Sequence, residues 1–177
     1  PQSLTINRGH EFTTVFDGTS FTFISLENKT ISPNGGTFTF DNLDVHQGSL
    51  TSDIYRFDGQ VSNQRFPMLN TNIDTSTISI NITSNNIVTS WKKAGDLTGI
   101  KSTSNVFYLQ ENDEGLFEVY FGDGIIGATP KDGDQIVISY LVTDTNHANG
   151  ATVFSMATSI KSFIFLSPSF EDLAISR

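Results

Sequence analysis

The sequence predicts an all-β or β-rich α+β fold, built of antiparallel strands and hairpins with a short C-terminal helix. Three observations predict it. The chain holds 15 Phe and 14 Gly in 177 residues, and its aromatic and β-branched residues, which favour strands, are interleaved with turn-forming Ser, Thr, Asn and Asp. Apolar and polar residues alternate with period two in run after run, the mark of half-buried strands. Dense turn signals separate those runs.

Taken in order, Ser20–Ile24 and Thr37–Phe40 alternate Phe with Ser or Thr and predict two strands. Between them Ser32-Pro33-Asn34-Gly35-Gly36 predicts a turn. Thr77–Ile82 is the cleanest half-buried strand. Asn105–Leu109, Glu111–Gly115 and Leu116–Phe121 read as strand, acidic Gly-closed loop and strand, a hairpin. Gln135–Val142 is more uniformly apolar and so is expected in a central position. Ala151–Phe165 fits a strand or a helix. Ser167 suits a helix cap, Pro168 the first turn, and Glu171 and Asp172 the positive end of the dipole, so a helix is expected to start there. Periodicity is lost near Asn85–Ile100, which predicts sub-lobes 1–90 and 91–177 within one β-rich region, 1–177. The chain opens on Pro1 and stops at Arg177 within that helix start, as expected of a piece of a longer protein.

Bulk chemistry removes several function classes. The formal net charge is −9 and the isoelectric point about 4.5, the wrong sign for displacing phosphate counterions, so nucleic acid is not an expected partner. Cysteine is absent, which removes disulfides, thiolate nucleophiles and Cys-bound metals. No apolar run approaches the roughly 18 residues of a spanning helix, so no membrane is expected as a partner either.

The densest motif is FEVYFGDGIIGATPKDGDQIVISY, residues 117–140. Gly122-x-Gly124-x-x-Gly127 spells a dinucleotide fingerprint, but Pro130 and a second turn follow where a helix must supply the anion site. A phosphate loop would need Lys and Ser or Thr after Gly127, where Ala128 and Thr129 stand. A calcium loop begun at Asp132 meets Ile136 at its fifth position, although Asp123, Asp132 and Asp134 together remain a weighed cation cluster. The favoured reading is a structural turn. Gly122, Gly124, Gly127 and Gly133 give positive φ between antiparallel strands, Pro130 fixes the kink and Asp123 belongs to the same turn.

Catalytic constellations are not apparent. His10, His46 and His147 lack metal-ligand spacing, and Ser90-x-x-Lys93 stands without companion motifs. Asp41, Asp44, Asp53 and Asp58 are pairs any acidic chain offers. Trp91 suits a core better than a sugar platform. No enzyme activity, catalytic residue, metal or cofactor is expected.

Tyr120-Phe121-Gly122-Asp123-Gly124 through Gly127, Pro130, Gly133 and Ile136–Tyr140 resembles the signature of baseplate J-like proteins, the wedge components of contractile phage tails. Leu43–Gly48, Arg65–Asn70, Ile73–Ile80, Trp91 and Ser104–Leu109 extend the resemblance over most of the chain, and they are similar to the C-terminal half of the wedge proteins of T4-like phages. Thr143–Gly150 departs from the glycine-rich stretch that many members carry there. The resemblance implies a virion protein of the tail baseplate, assembled in the host cytoplasm. It implies a structural subunit that joins wedges into a ring around the central hub, contacts other wedge proteins and itself as a homodimer, and rearranges on contraction. Interface cores are enriched in aromatics, so Phe154, Phe163 and Phe165, with the helix start, are the expected contacts. The alternative is a β-rich module that binds carbohydrate or a host surface.

Overall fold

The computed structural model describes residues 3–96, 98–143 and 151–156. Among them thirteen strands form and no helix: β1 (Leu4–Ile6), β2 (Glu11–Phe16), β3 (Thr19–Ser25), β4 (Lys29–Ile31), β5 (Val45–Gln47), β6 (Ser49–Arg56), β7 (Phe66–Pro67), β8 (Ile73–Ser84), β9 (Ile87–Lys93), β10 (Val106–Glu111), β11 (Phe117–Phe121), β12 (Gln135–Val142) and β13 (Ser155–Met156). The β-rich expectation holds. The expected helix at 168–174, together with Phe163, Phe165 and His147, lies outside the described residues.

The chain divides into two units, Pro1–Leu50 with Thr143–Arg177, and Thr51–Val142. A boundary between residues 90 and 91 would instead fall inside β9, which pairs with β8 from Ile80↔Trp91 to Ser84↔Ile87.

In the first unit β1 pairs with β4, and a four-stranded sheet runs β13-β2-β3-β5. Phe12, Phe21 and Phe23 point inward and meet Ile6, Leu43, Val45 and Phe154 in one core, as the alternation at 20–24 predicts. Thr37–Phe40 is not a strand. Thr37 forms an isolated bridge to Asn34 across the turn. Of the 151–165 stretch residues 151–156 are described, and there Ser155–Met156 form a strand that pairs with Thr13 and Phe12 of β2.

The second unit carries a seven-stranded sheet in the order β6-β12-β8-β9-β10-β11-β7. β12, expected in a central position, is an inner strand, and it alternates up to Tyr140: Ile136, Ile138 and Tyr140 are buried, and Leu141, past a register shift in the pairing with β8, is buried as well. Antiparallel pairing dominates, with one exception. β9 and β10 run parallel, Val106↔Lys92 and Phe107↔Lys93, so twelve residues of connection (94–105) return the chain to the same end of the sheet. The sheet curls until its two edge strands approach. The Tyr55 hydroxyl of β6 donates to the Pro67 carbonyl of β7, the Tyr55 and Phe66 rings lie 5.4 Å apart, and Leu69 N donates to Asp53 over 3.3 Å. Edges facing one another are poor templates for unwanted pairing. Phe66, Met68, Ile80, Ile82, Trp91, Phe107, Val119, Ile136, Ile138 and Tyr140 fill the interior.

Candidate interaction surface

The β10–β11 hairpin closes as its sequence predicts. Glu111 faces Phe117, and the Asn112 side chain accepts from Glu114 N and Leu116 N, both at 3.0 Å, inside the five-residue loop. That register decides which side chains share a face. Phe107, Leu109, Val119 and Phe121 fall on the core side, and Tyr108↔Tyr120 and Gln110↔Glu118 fall on the other. The two tyrosine rings stack at 5.1 Å and 21°, a favourable cross-strand pair. Gln110 Nε2 donates to Glu118 Oε1 over 2.5 Å. Arg65 lies across this ladder, its guanidinium 3.9 Å from the centre of the Tyr120 ring and its Nε 3.9 Å from Glu118.

A groove of about 730 Å³ runs beside the ladder. It is lined by the 57–65 segment, with Arg65, by Tyr108 and Tyr120, and by Gly122, Asp123, Ile126, Thr129 and Pro130 of the signature connection.

That connection is fixed by close approach and by capping. A β-carbon on Gly122 would sit 2.3 Å from the Ile126 carbonyl oxygen and 2.5 Å from the Gly127 carbonyl, so Gly122 is required for contact, not for positive φ. Gly124, Gly127 and Gly133 do take positive φ, at 83°, 87° and 82°. Asp123 Oδ1 accepts from Ile125 N at 2.9 Å and Ile126 N at 3.1 Å, and those two donors hold its carboxyl below the usual carboxylate range. Thr129 Oγ1 donates to Gly122 O at 2.8 Å. Gly127 N and Ala128 N donate to Lys101 O and Ser104 O at 3.2 and 2.8 Å, and the Tyr108 hydroxyl donates to Ile126 O at 3.3 Å. Pro130 is buried. The connection does not join two paired strands, because β11 and β12 stand four places apart in the sheet. It crosses from one part of the sheet to another. With its backbone donors at 125 and 126 capped by Asp123, the tip presents Ile125 and Ile126, 76% and 50% exposed. Val61, 49% exposed, lines the groove.

The other candidates do not assemble. Asp134 accepts from Lys131 N at 2.8 Å and so, like Asp123, caps its own turn, whereas Asp132 accepts from Gly59 N of the 57–65 segment at 2.9 Å. Among the described residues no group of three potential metal ligands forms. Asp53 accepts from the Tyr140 hydroxyl at 2.6 Å, and Asn70 Nδ2 donates to that hydroxyl at 2.9 Å. This ties β6 to β12, and burial together with the Asp53 bond pushes Tyr140 up to about 12. His10 Nε2 is buried without a partner, and burial lowers its pKa. Trp91 is core, edge-on to Phe121 at 5.0 Å. Phe154, expected as a contact residue, is 5% exposed and meets Phe23 at 5.1 Å inside its own unit, because β13 lays the 151–156 segment over that sheet. Ile125, Ile126, Val61, Arg65 and the Tyr108–Tyr120 pair were not singled out from sequence. The hairpin register gives the tyrosine pair, and two adjacent isoleucines inside a glycine-rich turn have no strand to bury them.

What the described residues define is an all-β module with an apolar tip beside a groove. Residues 53–142 match the third domain of bacteriophage baseplate wedge protein gp6, and the chain belongs to that family. The matched span is almost the whole of the unit Thr51–Val142. The chain is also 27% identical, over 89% of its length, to baseplate wedge protein gp6 of Enterobacteria phage T4, and it covers 26% of that relative. It is a baseplate protein of the virion, and no helix among its described residues is long and apolar enough to cross a membrane.

Proposed function

We propose that this chain is part of a structural wedge subunit that joins wedges into a ring around the central hub of a contractile tail and rearranges when the tail contracts. Its partners are other wedge proteins and a second copy of itself. One observation carries the reading: the family match at 53–142 coincides with a self-contained β unit, Thr51–Val142. A scaffold role asks for that kind of unit, with contact surfaces and no chemistry. The carbohydrate-binding alternative is weaker. Trp91 is buried, and the Tyr120 ring carries Arg65 on it beside the stacked Tyr108, so neither offers a bare face to a sugar ring.

Two measurements test the proposal. Phage lacking the gene should yield no complete baseplates in negative-stain micrographs, and normal baseplates would sink the structural reading. Sedimentation of the full-length protein across concentration should reveal self-association, and a strict monomer at high concentration removes the homodimer.

A further inference from the structure

The signature connection has a surplus that scaffolding alone does not explain. Its donors are spent on Asp123 Oδ1, and its carbonyls at Gly122 and Ile126 are taken by Thr129 and Tyr108. Exposed beside the Asp123 carboxylate are Ile125 and Ile126, and Val61 lines the groove together with Ile126. Exposed apolar residues on an ordered tip, lined up with a groove, mark a contact site, and a tip already held in place loses little entropy on binding.

The rim has a sign. Asp123 lines the groove. Asp58 and Asp132 border it at Gly59, where Gly59 N donates to Asp132 and Gln60 N to Asp58. All three aspartates are exposed. Against them stand Lys131 and Arg65, the latter with Glu118 and Gln110 at its guanidinium. Two copies meeting through this face would bring carboxylate rim against carboxylate rim, an arrangement that costs affinity.

Resting on the wedge reading above, we infer that this groove and tip receive a segment of a different baseplate protein, one whose apolar residues are flanked by Lys or Arg. The apolar residues cover Ile125, Ile126 and Val61, and the flanking cations meet Asp58, Asp123 and Asp132. Opposite charge at the rim steers the encounter and fixes the register, while the buried apolar contact holds the complex.

The test uses the whole chain and two fluorescent peptides with one apolar centre, flanked by lysines in the first and by glutamates in the second. Anisotropy should show the lysine peptide binding and the glutamate peptide failing. The lysine peptide should weaken several-fold as salt rises from about 50 to about 500 mM. Ile125→Asp should weaken it about tenfold or more. Asp58→Asn with Asp132→Asn keeps both carbonyl acceptors but removes two charges, and should weaken it while flattening the salt dependence at an unchanged melting temperature. The inference is overturned if neither peptide binds, if both bind equally, or if Ile125→Asp changes nothing. It is also overturned if the chain self-associates and Ile125→Asp abolishes that, since a second copy then covers the face. None of these outcomes bears on whether baseplates form without the gene, so the wedge reading stands or falls separately.

Discussion

Two connections in the same unit show two ways of holding a chain. Asn85 and Asn86 join β8 to β9 in a two-residue turn with φ of 48° and 64°, the left-handed pair that matches the twist of a hairpin. Nothing but backbone conformation is needed there. Residues 122–134 join β11 to β12 across the sheet, and they are held by side-chain caps, by backbone bonds to Lys101 O and Ser104 O, and by one atom-to-atom approach at Gly122. The short turn is a local solution. The long one is tertiary, and a lesion in it should propagate to the groove.

Gly122→Ala should have the largest effect. The added carbon meets two backbone carbonyls, those of Ile126 and Gly127, at 2.3 to 2.5 Å, and backbone cannot rotate away as a side chain can. The expected loss is roughly 3 kcal/mol or more, read by chemical denaturation. A variant as stable as wild type would show that the loop can open at no cost, and would end the claim that it is rigid.

Tyr140→Phe calibrates that loss against damage elsewhere in the unit. It leaves Asp53 and Asn70 without the hydroxyl that joins them, at a cost of about 1–3 kcal/mol. The tyrosine also sets an alkaline limit. Its pKa rises from 10.0 to about 12 on folding, so the neutral form is favoured by the native state. The contribution is fully present below pH 10, and is lost as pH climbs from 10 to about 12. Stability should therefore fall through that window in wild type, and less steeply in Tyr140→Phe. Equal slopes would remove Tyr140 from the alkaline response.

Gly124→Val probes conformation without contact. The nearest atom to an added β-carbon is Thr129 Oγ1 at 3.7 Å, so space is ample, but φ is 83° and a β-branched residue is disfavoured there. About 1–2 kcal/mol should be lost, less than at Gly122. A larger loss than Gly122→Ala would reverse the ranking of strain and clash.

The same contrast explains what the residues told in advance. The β10–β11 hairpin is local, and its acidic Gly-closed loop fixes a register from which the Tyr108–Tyr120 stack follows. The parallel β9–β10 pair is set by a long return of chain with no local signature. Thr37–Phe40 alternates well but forms no strand, and Phe40 packs against the core of its unit without a ladder. At the signature, turn chemistry was legible in Asp123, Gly124 and Gly133. The role of Gly122 was not, because its neighbours are Ile126 and Gly127 brought back across the loop. Nor was the exposure of Ile125 and Ile126, since sequence gives their hydrophobicity and only the fold decides which way they face.

Asn86→Gly should have the smallest effect, and two opposing terms say why. Glycine relieves the left-handed strain of φ 64°, and Asn is among the residues that bear this conformation most easily, so the relief is modest. Glycine also gives the unfolded chain more freedom to lose, roughly 0.5–1 kcal/mol on the scale of a Gly–Ala exchange. The two nearly cancel, and the net change should stay within about 0.5 kcal/mol. Asn86→Ala keeps the strain and loses the tolerance of Asn, and should cost about 1 kcal/mol. If Asn86→Gly and Asn86→Ala instead both lose well over about 1 kcal/mol, the exposed Asn86 side chain, removed in each, is carrying a contact of its own. The turn would then be held, like the long connection, by more than its backbone.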